Sequence, residues 1–253
     1  MRWLLAANPT PMTLDGTRTF LIGRKRPVVI DPGPASARHL AAIVRELDGQ
    51  APIAILLTHA HADHAEGAEA LAQATGAPVL AASGAGYPPG LVTRWIAEGS
   101  EVETDSGSIR AIATPGHTPE HLAYLWSGGP APERGALFVG DLFLGVGDTT
   151  LVAPPEGELL AYLRSLDRVA ILRPGTMHPS HGPMIADPLA AVNRYRAHRM
   201  ERIAQVKAAV AANPRAPLAE LVSLIYGPAL NPALVGSAKG SVLAVLEYLG
   251  RAD

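Results

Sequence analysis

The sequence predicts a layered α/β protein with a small all-α appendage. Three observations carry that expectation. Short apolar runs of strand length alternate with amphipathic helical stretches, the runs are bounded by Gly, Pro or Ser, and the composition shifts near Asp187-Pro188 to longer helical patterns.

Taken in order, Thr19-Phe20-Leu21-Ile22 and Val28-Val29-Ile30 read as strands around a basic turn, Arg24-Lys25-Arg26, and the second ends at Asp31-Pro32-Gly33. Residues 38–47 form a helix with Leu40, Ile43, Val44 and Leu47 on one face. Ile53 to Leu57 is apolar at every position, as a strand buried on both faces requires, and runs straight into Thr58-His59. An Ala-rich helix is expected over 66–74, and strands over 79–80, 109–113, 122–126 and 136–139. Leu159, Leu163, Leu166 and Val169 recur at helical spacing within 158–169. Asp187 is a good N-cap, with proline at the first helical position. The long helix from there to 212 places Val192, Tyr195, Ile203, Val206 and Val210 on its apolar side. Arg194, Arg196, Arg199, Arg202 and Lys207 fall on its polar side. Two shorter helices follow, 218–226 and 238–249, which divides the chain into 1–186 and 187–253.

Apolar residues at 48% and charged ones at 17% supply a sizeable core, which excludes disorder throughout. A net charge of −2 disfavours coating nucleic acid or an acidic membrane by bulk electrostatics. The chain has no cysteine, so disulfides, thiolate metal sites and cysteine nucleophiles are all excluded. The first apolar run is too short for a secretory signal, and no stretch approaches the ~20 apolar residues of a membrane span. A cytoplasmic protein acting on a small molecule, away from membranes, is the expectation.

The nine histidines draw the chemistry together. His59-Ala60-His61-Ala62-Asp63-His64 puts four ligand-type side chains in six residues at the end of a buried strand. In extended backbone His59 and His61 point the same way and can share a cation. A turn into helix then swings Asp63 and His64 towards a second position. Imidazole and carboxylate suit Zn²⁺, Fe²⁺ or Mn²⁺. His117 lies in the loop after the strand 109–113, Asp141 closes the apolar run at 137–140 and His181 lies in Pro179-Ser180-His181-Gly182-Pro183; polar groups at strand ends converge at one edge of a sheet.

The ordered set HxHxDH, a distant His117, Gly140-Asp141 and His181-Gly182-Pro183 resembles the metallo-β-lactamase-fold hydrolase superfamily over roughly 1–186. The resemblance implies an αββα sandwich with a dinuclear site along one edge. His59, His61 and His117 would bind the first metal, and Asp63, His64 and His181 the second, with Asp141 bridging. Zinc is favoured for both, with iron or manganese as alternatives. Asp63 would both ligate and accept a proton as the catalytic residue. Asp31 and His121 are expected behind the ligands, each with a bland reading as a turn carboxylate or a solvent-facing strand start. His178 is the rival to His181, and His39 and His198 are expected to stand apart from the chemistry.

Asn8-Pro9-Thr10-Pro11-Met12 to Thr17, the segment 179–183 and His198-Arg199 also resemble a subgroup holding a mitochondrial β-lactamase-like endoribonuclease and fungal polyketide thioesterases, with a winged-helix-like tail. Ser180 departs from that subgroup's usual Gly. The implied function is a hydrolase whose dinuclear-site hydroxide cleaves an ester or thioester of a small molecule. One alternative is a single-stranded RNA endoribonuclease using the helix 188–212 as a phosphate rail. Another is a glyoxalase II-like thioesterase. The complete ligand set argues against a non-enzymatic binding module.

Overall fold

The computed structural model describes residues 1–84, 86–129 and 133–250. Two sheets pack face to face. The first holds β1 (Arg2–Leu5), β2 (Arg18–Ile22), β3 (Val28–Ile30), β4 (Ala54–Leu56), β5 (Val79–Ala82) and β6 (Arg94–Ile96), in that spatial order. The second runs β11 (Thr176–Pro179), β10 (Ala136–Gly140), β9 (Leu122–Trp126), β8 (Gly107–Ala113), β7 (Glu101–Thr104). From β3 to β6 the pairing is parallel, which is why helices cover that face.

Period-two alternation divides each strand between two cores. Phe20, Ile22, Ile30 and Leu56 meet Tyr124, Trp126 and Phe138 between the sheets. Leu21, Val29, Ile55 and Leu57 face the other way, against α1 (Ala37–Leu47) and α3 (Ala68–Thr75). The unbroken apolar run at 53–57 is thus shared between two layers. On the far side, Leu137 and Val139 pack against α4 (Leu159–Leu172), α5 (Pro188–Ala212) and α7 (Val235–Tyr248). The layers read αββα. The helices after residue 187, including α6 (Leu218–Tyr226), share this one hydrophobic cluster with the second sheet.

Side chains cap two of the helices, one of them at the expected Asp187. Ser36 Oγ accepts from His39 N–H at 3.4 Å, and Asp187 Oδ1 accepts from Ala190 N–H at 3.0 Å ahead of Pro188. Four strands had no sequence expectation: β1, β6, β7 and β11, which are the four sheet edges. Three of these edge strands bury little: Trp3 and Trp95 are each about half exposed, and β7 alternates half-buried with exposed. Its pairing partner, not its composition, holds it in place. No strand occurs among the described residues after 187, and no helix there or elsewhere among them is long and apolar enough to cross a membrane.

His178 lies on β11 between the sheets, 5.3 Å from the Phe138 ring and 6.0 Å from Phe20. Burial lowers its pKa to about 4, from an ordinary 6.5. The unfolded chain therefore takes up this proton first as pH falls. The stability that neutral His178 contributes is complete above pH 6.5 and is lost on descending towards pH 4. At about 1.4 kcal/mol per pKa unit the loss amounts to at most about 3 kcal/mol. His178→Gln should reduce the difference in unfolding free energy between pH 7 and pH 4 by up to that amount, as read by urea denaturation. An unchanged acid limb would contradict the assignment.

Candidate metal centre

β4 ends at Leu56, the chain bends at Thr58, and α2 (Ala62–Ala65) begins after His61, an N-cap residue in extended backbone. His59 and His61 meet on one side of this segment. His59 Nε2 and His61 Nδ1 stand 3.0 Å apart, and His117 Nε2 is 3.1 Å from the same Nδ1. His117 comes from the loop after β8. The helical turn carries Asp63 and His64 to a second position, where His181, just past β11, joins them. His181 Nε2 lies 3.2 Å from Asp63 Oδ2, and His64 Nε2 lies 3.5 Å from it.

Asp141 stands between the two groups. Its Oδ2 is 3.6 Å from His117 Nε2, while its Oδ1 is 3.3 Å from His64 Nε2 and 3.2 Å from His181 Nε2. All seven expected residues are brought together, as two clusters whose donor atoms lie within 4.8 Å of one another: His59, His61, His117 and Asp141, then Asp63, His64 and His181. The glycine before Asp141 is a steric requirement. Gly140 has φ +50°, and a Cβ there would fall 2.6 Å from His121 Nε2.

Whether this cage fits a metal is decided by its protons. Each of the five histidines has its other ring nitrogen held by an acceptor. His59 Nδ1–H donates to Thr58 Oγ1 (3.0 Å), His61 Nε2–H to Glu156 (2.9 Å) and His64 Nδ1–H to Asp31 (2.9 Å). His117 Nδ1–H donates to the Leu151 carbonyl (2.8 Å) and His181 Nδ1–H to that of Gly16 (3.2 Å). With one proton spent outward, each ring aims a lone pair inward. His64 Nε2 and Asp141 Oδ1 are buried, 3.3 Å apart, and yet neither has a partner in hydrogen-bonding geometry. They point at a common place rather than at each other, which is the arrangement of ligands. The donor set fits one or two divalent cations.

Electrostatics agree. Burial, then the neighbouring His64 and His117, holds His59 well below its ordinary pKa. Burial opposes protonation of His181 too, but Asp141 outweighs it and raises that pKa to about 9. Burial would raise Asp141, yet His64 and His181 pull it well below the carboxylate range. A divalent cation would take the place of the protons these carboxylates draw in.

The surrounding residues sort clearly. His121 is buried and uses both nitrogens within the protein: Nε2 accepts from Asp141 N–H (3.3 Å) and Nδ1–H donates to Thr114 Oγ1 (2.8 Å). Burial lowers its pKa to about 3, so it stays neutral and positions Asp141. The solvent-facing reading of His121 fails. Asp31 is fully buried, not a turn carboxylate. It accepts from Thr58 N–H (2.8 Å), Thr58 Oγ1–H (2.7 Å) and Ser180 Oγ–H (3.3 Å), besides His64. Ser180 thus replaces the subgroup's glycine with a donor to Asp31. His178 faces away between the sheets, and His39, on α1, bonds Thr19 Oγ1 of β2 (2.8 Å).

Thr58 and Glu156 were not anticipated. Glu156 is 95 positions from His61, so no local pattern could pair them. His198, expected to stand apart, lines the cavity over the cluster, as do Arg199 and Arg202. Arg199 is 3% exposed, so the expected polar face of α5 is partly an inner wall. That cavity, about 410 Å³, also takes in Asp63, His117, Asp141 and His181.

A family model described as the metallo-beta-lactamase superfamily matches residues 12–181. The lactamase-like protein adaB of Aspergillus niger is 34% identical over 210 residues, covering 82% of this chain and 62% of that protein. The atrochrysone carboxyl ACP thioesterase of Aspergillus chevalieri is 33% identical, covering 82% and 64% respectively. The chain thus spans less than two thirds of the length of these fungal relatives. Among solved structures, a beta-lactamase domain protein from Burkholderia ambifaria superposes with a TM-score of 0.80 at 24% identity, over 98% of this chain and 85% of its own. TTHA1623 in a di-iron-bound form gives 0.57 at 27% identity, over 76% and 98%.

Thr58 ties His59 to Asp31, so Thr58→Val should leave the fold intact and weaken divalent-metal affinity by roughly 10- to 100-fold. Competition of Zn²⁺ against a chelating dye measures this, and wild-type affinity in the variant would contradict it.

Proposed function

The chain belongs to the metallo-beta-lactamase superfamily, and on that premise we propose that it is a hydrolase that uses two divalent metal ions to cleave an ester or thioester bond in a small molecule. The observation that carries this reading is the set of five histidines, each pinned outward and aimed inward, around a carboxylate with one oxygen towards each group.

His59, His61 and His117 would hold one cation, Asp63, His64 and His181 the other, and Asp141 both. Bound there, the pair would act as a Lewis acid on the scissile carbonyl and supply an ionised water near neutral pH. The chain provides the rest. Asp63 keeps its side chain 28% exposed towards the cavity, so it can accept a proton there and return it to the leaving group. His121 and Thr58 hold Asp141 and His59 in place through the act. Leu144 and Leu151 give the cavity beside the ligands an apolar wall. Zinc is the favoured metal, and iron is supported by the di-iron form of one structural neighbour.

A thioester is supported by the name of the Aspergillus chevalieri relative. The RNA alternative loses its main support from the arrangement of α5. Arg196 pairs with Asp167, Arg194 donates to the Gly147 carbonyl, and Arg199 and Arg202 turn into the cavity. No run of five basic groups is left on the surface for a phosphate chain to follow.

Asp141→Ala should lower metal content at both positions and abolish turnover, as read by elemental analysis beside a panel of thioesters, lactones and short RNAs. Full activity in that variant would overturn the ligand assignment. Asp63→Asn should lower kcat by roughly 10²- to 10⁴-fold. Chelation should remove activity, and Zn²⁺, Mn²⁺ or Fe²⁺ should restore it. Cleavage of RNA at low salt with every ester left intact would reverse the choice of substrate.

A further inference from the structure

The cavity does not end at the metal-ligand cluster. It runs from Asp63 and His117, between the sandwich and the helical segment, to Arg199 and Arg202 on α5. These two are three residues apart on one helix and so share a face. Arg199 is buried, which arginine rarely is without a counter-ion. Among the described residues, no carboxylate comes within 4.0 Å of either guanidinium. Asp148, the acid on the adjoining loop, is paired with His198 at 3.3 Å.

What holds the two arginines accounts for only part of each. Arg199 Nη2–H donates to the Thr150 carbonyl and its guanidinium lies over the Tyr162 ring, 5.0 Å from the centroid. Arg202 stacks on Tyr226 at 4.1 Å. The Nε of each is buried and has no partner. A buried arginine and a half-buried one, neither using all its donors, therefore line one cavity, and Met12, Leu151, Leu230 and Leu234 add apolar surface to it. A planar guanidinium with free donors selects an oxyanion, bidentate where it can.

We propose that Arg199 and Arg202 form an anion subsite, so that the substrate is an amphiphile with its ester or thioester at the metal cluster, an apolar body along the cavity, and a carboxylate or phosphate head on the two arginines. The claim about substrate rests on the hydrolase reading; the anion subsite itself does not. A cavity of about 410 Å³ suits a compact molecule of this kind.

Two measurements on the full-length, metal-loaded protein test it. The first compares the thiophenyl monothioester of octanedioic acid, which ends in a carboxylate, with thiophenyl octanoate, which ends in a methyl group. The subsite should give the acid about 10-fold higher kcat/KM, carried by KM, and Arg202→Gln should bring the ratio close to one. Equal turnover of the two by the wild type, or a ratio unmoved in the variant, overturns the proposal.

The second measurement is calorimetric and needs no turnover. Octanoate and octyl phosphate should bind about 10-fold more tightly than octanol, and both should lose that advantage in Arg202→Gln. The tighter of the two anions identifies the head group. Octanol binding as well as the anions, or anions bound equally by wild type and variant, overturns the subsite. If neither thioester is cleaved, the hydrolase reading fails and calorimetry alone decides the subsite. Should Arg202→Gln melt at a much lower temperature, Arg202→Lys replaces it. That variant keeps the charge but not the fork, and should retain part of the preference, where full retention or wild-type binding counts against the proposal.

Discussion

The buried carboxylate of Asp31 ties together four parts of the chain, drawn from both sheets and from α2. It sits at the end of β3 and accepts from the backbone and hydroxyl of Thr58, which follows β4, from Nδ1–H of His64 on α2, and from Ser180, which follows β11 in the opposite sheet. A fully desolvated carboxylate is stable only when its lone pairs are filled, so each donor is held where it is by the cost of leaving Asp31 unsatisfied. Asp31 adopts a positive φ of 48°, which bends the chain out of the strand and presents both oxygens to these donors. Through Thr58 the same carboxylate reaches His59, and so both halves of the metal-ligand cluster answer to one acid.

That constraint explains how a cluster of five imidazoles and two aspartates survives at the edge of a hydrophobic sandwich. Lone pairs converging at about 3 Å repel, and within the cluster the carboxylates offset this by drawing a proton onto His181. One layer out lie further acceptors, drawn from Gly16, Thr58, Leu151, Glu156 and Asp31. These fix each tautomer and leave the inner nitrogen with no role except to bind a cation. His121 shows the contrast. It is buried beside the same rings, but both its nitrogens are committed to protein groups, and it serves Asp141 instead of joining the ligands.

The third layer of organisation is the contact between the sandwich and its C-terminal helices. These helices do not form a core of their own, because α5 and α7 complete the cluster begun by Leu137, Val139 and Tyr162. The gap left where they meet the strand-end loops is the cavity, so substrate access and the packing of α5 are one problem. Tyr162 and Tyr195 link the two sides: Tyr162 Oη–H donates to the Leu142 carbonyl, and Tyr195 Oη accepts from Leu144 N–H. The loop carrying Asp141 is thereby braced by α4 and α5. A shift of α5 would move both the arginines and Asp141.

By itself the sequence determined the interior strands, the long helices and the chemistry of the ligands. Those signals are local: the apolar run at 53–57, the Asp187-Pro188 cap and the HxHxDH spacing each act within a few residues. It also carried the strand-end positions of His117 and Asp141, since a ligand-type side chain after an apolar run is visible in one dimension; His181 stood out instead by the Gly182-Pro183 that follows it. Only the tertiary structure decided the four edge strands, because their stability comes from a neighbour's hydrogen bonds rather than from their own composition. It alone decided that Asp31 gathers the centre, that Glu156 meets His61 from 95 positions away, and that Arg199 and Arg202 look inward. Periodicity assigns arginine to the solvent side of a helix. Which part of that side is later roofed by another element depends on packing between distant segments, and no local pattern records it.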